Sequence, residues 1–106
     1  MNETEFNQKI DDLLIEIEDA IEDTGADIDY ETVSGILTLI FEDKSQVIIN
    51  RQVAMGQVWV AAKSGGYHLD WVASDWVTTG TKETLVTLLN RVCQEQSGET
   101  VEITLG

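Results

Sequence analysis

Twelve of the first 31 residues carry a carboxylate: Glu3, Glu5, Asp11, Asp12, Glu16, Glu18, Asp19, Glu22, Asp23, Asp27, Asp29 and Glu31. One cation, Lys9, stands among them, so this segment has a net charge of −11, whereas the rest of the chain carries eight acids and five bases. Carboxylates at this density have two physical uses. They bind hard, oxygen-seeking cations, and they steer a basic protein surface into contact. The bland alternative is solubility charge on a solvated helix. Against it, no Lys or Arg lies between Asp11 and Ile49 except Lys44, whereas an ordinary solvated face intersperses cations. No His or Cys lies in the segment, so zinc and copper are poorly served and iron, manganese or calcium are the preferred ions. An EF-hand loop started at Asp27 would put Thr32 where Gly is required and Thr38 where a bidentate Glu is required, so that motif fails. Metal sites here are expected to be shallow, weak and promiscuous.

Two elements must position these acids. Phe6, Ile10, Leu13, Leu14, Ile17, Ala20 and Ile21 recur at three- and four-residue intervals, which predicts an amphipathic helix with Thr4 as N-cap and Gly25 as its stop. Asp12, Glu16, Asp19 and Asp23 form one row on its polar side, and Asp11, Glu18 and Glu22 a second, while Ile15 breaks the pattern by pointing outward. Like charges four apart each cost roughly 0.2–0.5 kcal/mol, and Glu22 and Asp23 sit where the helix dipole is already negative. Asp27, Asp29 and Glu31 follow at alternate positions on one strand face, so helix and strand are predicted to share one anionic ridge.

From Asp27 the period changes to two. Strands are predicted over 27–33, 36–42, 46–50, 57–62, 67–71 and 75–77, separated by turns at Ser34-Gly35, 42–45, 64–66 and Ala73-Ser74. Leu85, Leu88, Leu89 and Val92 return to helical spacing, with Thr81 as N-cap and Gly98 past the end, and Val101 to Leu105 alternate as a tail expected along the core. The order implies an α+β fold, a two-layer sandwich with two helices on one face of a five- to six-stranded antiparallel sheet, in a single domain over 1–106.

A formal charge of −14 with six scattered cations excludes a phosphate-neutralising face, so nucleic acid and anionic membrane are not expected as partners. One Cys excludes an internal disulfide and any multi-thiolate zinc site. The acidic N-terminus lacks the pattern of a signal peptide and no apolar run approaches a membrane span, so a cytoplasmic, soluble protein is expected. His68 has no Cys or Ser beside it and is read as structural or as a same-face partner of Asp70. Cys93 lies on the apolar side of the second helix and reads as a buried, inert thiol, and Gly65-Gly66 as a hairpin turn. Trp59 falls on the strand face opposite Val58 and Val60, hence away from the helices. There it is either an interface anchor framed by Asn50, Arg51 and Gln52 or a ring packed on a neighbouring strand.

Asn2-Glu3-Thr4-Glu5-Phe6, the acidic helix, Gly35 to Glu42, Ile49-Asn50-Arg51-Gln52, Gln57 to Ala61, Gly65 to Asp70 and Ser97 to Thr100 together resemble the frataxin family in its bacterial branch, over essentially the whole chain. The resemblance implies an iron-binding protein of iron–sulfur cluster assembly that docks on the cysteine desulfurase and the scaffold machinery, supplying Fe(II) or Fe(III) or regulating cluster formation. Positions matching the family's iron sites are Glu18, Asp19, Glu22, Asp23 and Asp27, with Asp29 and Glu31 as neighbours, and other divalent or trivalent cations are expected to substitute. The desulfurase-facing surface would comprise Glu18, Asp19, Glu22 and Asp23 with Trp59, Asn50 and Arg51. Asn7 stands where some bacterial relatives have His, so ligation would be all oxygen. A non-enzymatic monomer is expected. A metal-independent docking module and an iron-oxidising or iron-storage protein are the alternatives.

Overall fold

The computed structural model describes residues 1–105. Helix α1 (Glu3–Thr24) is followed by strands β1 (Ile28–Val33), β2 (Ile36–Phe41), β3 (Gln46–Gln52), β4 (Gln57–Ala62), β5 (Gly65–Val72) and β6 (Asp75–Thr78), then helix α2 (Leu85–Ser97). The strands pair in chain order as one antiparallel meander, with β1 and β6 at its edges.

Both helices cover one face of this sheet. The α1 stripe Phe6, Ile10, Leu14, Ile17 and Ile21 meets Leu37, Leu39, Val47, Ile49, Val58, Val60 and Leu69 from the strands and Leu85, Leu88, Leu89, Val92 and Cys93 from α2 in a single core. The alternation is clean on β2, where Leu37, Leu39 and Phe41 are buried and Ile36, Thr38 and Ile40 are half-buried on the outer face. Val101 and Ile103 complete the core without forming a strand. Asn90 of α2 holds this tail, donating to the carbonyl of Ile103 at 3.0 Å while its Oδ1 accepts the Ile103 amide at 2.7 Å.

The helix starts differ from those expected. Asn2, a stronger capper than Thr, accepts the Glu5 amide at 2.8 Å, so α1 begins before Thr4. Lys82 has φ 60°, a left-handed conformation that no right-handed helix accommodates, so α2 cannot start at Thr81 and is capped by Thr84 instead. Thr81 bonds to the Thr78 hydroxyl. Gly25 and Gly98 stop the helices with φ near 70°, as their spacing predicts. Among the described residues no helix is long and apolar enough to cross a membrane.

Candidate functional site

The polar half of α1 is built by default. Its apolar stripe is committed to the core, so the acids at the remaining positions lie on the outward side, all exposed except the half-buried Glu18. Of the twelve acids between residues 3 and 31, only Asp11 has an ionic partner among the described residues, the Arg51 guanidinium at 2.6 Å. No basic residue occupies the last turn of α1, so the carboxylates of Glu22 and Asp23 meet the negative end of the helix dipole uncompensated. Ile15, 57% exposed, lies amid this acidic surface.

Two hydrogen bonds tie the helix acids to the edge strand. The Tyr30 hydroxyl donates to the Glu22 carboxylate, and the Thr32 hydroxyl to that of Glu18. The Tyr30 phenol is pushed up to about 12, first by that bond to Glu22, then by desolvation, and then by the charges of Glu22, Glu18 and Asp19, all of which disfavour a phenolate.

Those bonds settle the parity of β1 and correct the predicted ridge. Buried Ile28 and the helix-bonded Tyr30 and Thr32 face α1, so by strand alternation Asp29 and Glu31 face the opposite side of the sheet. The acids therefore form two rows on either side of the edge strand rather than one continuous rim. Glu18, Asp19, Glu22 and Asp23 lie on the helix side. Asp29 and Glu31 lie on the outer sheet face, opposite Ile40 and Thr38. Asp27 is exposed in the bend between them. Among the described residues no three acidic, His or Cys side chains converge into a closed metal site. An open surface of carboxylates can hold cations in shallow, partly hydrated coordination, and it can meet a basic protein.

The outer sheet face carries a second constellation. Trp59 lies there, half-buried, with Asn50 of β3 and His68 of β5 as its cross-strand neighbours. The imidazole of His68 stacks on the indole, with centroids 4.3 Å apart and planes 9° from parallel. The indole N–H donates to Gln57 Oε1 at 2.9 Å, and Gln57 Nε2 donates to Asp70 at 3.0 Å. Trp59 is thus both outward-facing and packed on a neighbouring strand, a ring held flat by its neighbours. The pairing of Gln57-x-Trp59 with His68-x-Asp70 across one hairpin was the signal available in the sequence, but the contact itself depends on register.

Arg51 does not frame Trp59. It shares the parity of Val47 and Ile49, so its side chain, 16% exposed, goes to the helix side. There it donates to Asn7 Oδ1 at 3.0 Å and Asp11 at 2.6 Å, and lies against Gly35, where an added Cβ would come 3.3 Å from the guanidinium. Asn50 stays on the outer face beside Trp59. Cys93 is fully buried, and burial alone pushes its thiol up to about 12.

A six-stranded meander backed by two helices, one carrying a field of unpaired carboxylates, defines an acidic α/β sandwich that presents its charge on an open surface. The profile of the Frataxin-like domain matches residues 1–99. The chain is 48% identical over 102 residues to the iron-sulfur cluster assembly protein CyaY of Vibrio cholerae serotype O1, covering 96% of this chain and 98% of the relative. It is 44% identical to the protein of that name from Photobacterium profundum, covering 96% and 97%. The solved structure of the frataxin from Psychromonas ingrahamii superposes with a TM-score of 0.91 at 40% identity, covering 98% of this chain and 99% of that one. Yeast frataxin, at 24% identity, shares the fold, with a TM-score of 0.62 over 88% of this chain and 77% of its own. The chain belongs to the frataxin family.

Proposed function

We propose that this protein serves iron–sulfur cluster assembly as an iron-binding adaptor. It binds Fe(II) or Fe(III) weakly through α1 carboxylates, and it docks through the same surface on the cysteine desulfurase, supplying iron or regulating cluster formation. The observation that supports this best is the run of eleven carboxylates between residues 3 and 31 without an ionic partner among the described residues, a costly arrangement that an arriving cation or basic surface relieves. The names of its relatives, iron-sulfur cluster assembly proteins, point to the same process.

Glu18, Asp19, Glu22 and Asp23 on the helix side of β1, with Asp27 in the adjoining bend, would hold the metal, and Asp29 and Glu31 form a separate, weaker row. The partner surface extends around the edge strand to the outer sheet face, where Asn50 and Trp59 present amide and indole to it. Arg51 contributes by holding β3 to α1 rather than by contact.

Titration with Fe(II), or with a diamagnetic surrogate, followed by backbone amide shifts should perturb residues 16–31 first; perturbations elsewhere would refute the assigned site. Charge reversal of Glu18, Asp19, Glu22 and Asp23 to Lys should abolish capture of the purified cysteine desulfurase. If metal-free protein binds the desulfurase unchanged, the docking role stands and iron is incidental to it.

A further inference from the structure

The flank of α1 turned away from β1 borders a cleft of about 830 Å³ that none of the roles above uses. One wall is the α1 stripe from Glu5 through Gln8, Lys9, Asp12 and Leu13 to Glu16; the floor is Trp71 and Trp76; the far wall is Val86 and Leu105. We propose that this cleft is a docking groove for a basic amphipathic peptide segment of a partner protein.

Shape and charge both select that occupant. The stripe from Glu5 to Glu16 spans about 16 Å, roughly three helical turns, which suits a short segment laid along α1 better than a compact metabolite. The floor is apolar and aromatic, so it rewards Leu-like anchors. The rim is anionic: Glu5, Asp12, Glu16 and Asp75 line the cleft, and none has an ionic partner among the described residues. A cation already demonstrates the chemistry, because the Lys9 ammonium sits 4.4 Å from the centroid of the Trp71 ring, over its face. An incoming Lys or Arg finds four carboxylates around the Trp71 face that Lys9 already covers, while its apolar neighbours find the accessible parts of Leu13, Trp71, Val86 and Leu105.

The three tryptophans make the test site-resolved. Trp71 and Trp76 line the groove, and Trp59 lies on the opposite face of the sheet as an internal control. A synthetic helical peptide of Leu and Lys should shift the indole N–H resonances of Trp71 and Trp76 saturably and leave Trp59 in place. A Ser and Lys peptide of equal length and charge should bind at least about tenfold more weakly. The exposed-residue variant Glu5→Gln/Asp12→Asn/Glu16→Gln should weaken the first peptide by about tenfold, whereas Asp19→Asn/Asp23→Asn should change it less than about twofold. Equal binding of the two peptides, shifts led by Trp59, or loss only in the Asp19/Asp23 variant would overturn the groove. Each of these outcomes leaves the desulfurase and iron experiments above untouched.

Discussion

Neutralising part of the acidic helix should make the protein more stable, and by different amounts on its two rows. Asp19 and Asp23 are four residues apart, Asp23 lies in the last turn of α1, and neither accepts a hydrogen bond from another residue among the described residues. In Asp19→Asn/Asp23→Asn, relief of the like-charge pair is worth roughly 0.2–0.5 kcal/mol and relief at the helix terminus about 0.3–1 kcal/mol. Helix propensity is nearly unchanged, since Asp and Asn are close on that scale. The sum, about 0.5–1.5 kcal/mol, corresponds to a melting temperature raised by roughly 3–8 °C for a domain of this size. Glu18→Gln/Glu22→Gln relieves a similar repulsion but gives up the charge assistance in the bonds from Thr32 and Tyr30, so its net effect should stay within about 0.5 kcal/mol of zero. Calorimetry at low ionic strength measures both. At about 1 M salt, where the screening length falls to about 3 Å, the gain of the first variant should shrink by more than half. A divalent cation should likewise raise the wild-type midpoint more than that of the double variant. The electrostatic account fails if Asp19→Asn/Asp23→Asn melts at or below wild type in low salt, or if its gain survives high salt intact.

The two tyrosines should titrate apart. Tyr30 is pushed up to about 12 mainly by its bond to Glu22, while Tyr67 is lowered from 10, first by its bond with Ser64 and then by Arg91. Tyrosinate absorbance should therefore rise in two steps, and Glu22→Gln should bring the upper step down toward 10; a single step at 10 refutes the assignment. Because the folded value of Tyr30 lies above the unfolded one, its contribution to stability is complete below pH 10 and is lost between 10 and about 12. Cys93 should resist a thiol reagent in the native protein at neutral pH and react fully once unfolded by denaturant, since burial alone holds its thiol near 12. Native reactivity would mean that the α2 face opens. Asn90→Ala removes both bonds to Ile103 and should cost about 2 kcal/mol in urea unfolding, with faster amide exchange at Ile103. Unchanged exchange there would show that apolar packing of Val101 and Ile103 alone holds the tail.

Much of the fold was legible before any coordinates. The three- and four-residue spacing from Phe6 to Ile21, the two-residue period from Asp27 onward, and the turn at Ser34-Gly35 are properties of residues within a few positions of one another, and local sequence expresses them directly. The order of elements then follows, because short connections force neighbouring strands to pair. Misplaced helix starts at Thr4 and Thr81 have local causes too, a better capper two residues upstream and a left-handed Lys82.

The acidic residues and their exposure were determined by sequence alone, since a helix whose apolar stripe is buried turns the rest to water. The tertiary structure alone decided what each acid and its neighbours face. Asp29 and Glu31 were separated from the helix acids by the parity of β1, a single-residue matter that flips every side chain of a strand. Arg51 reached Asp11 and Asn7 rather than Trp59 for the same reason, and His68 met Trp59 only because β4 and β5 pair in one register. Such contacts join residues far apart in the chain. They depend on how packed layers are set against one another, which local spacing does not encode.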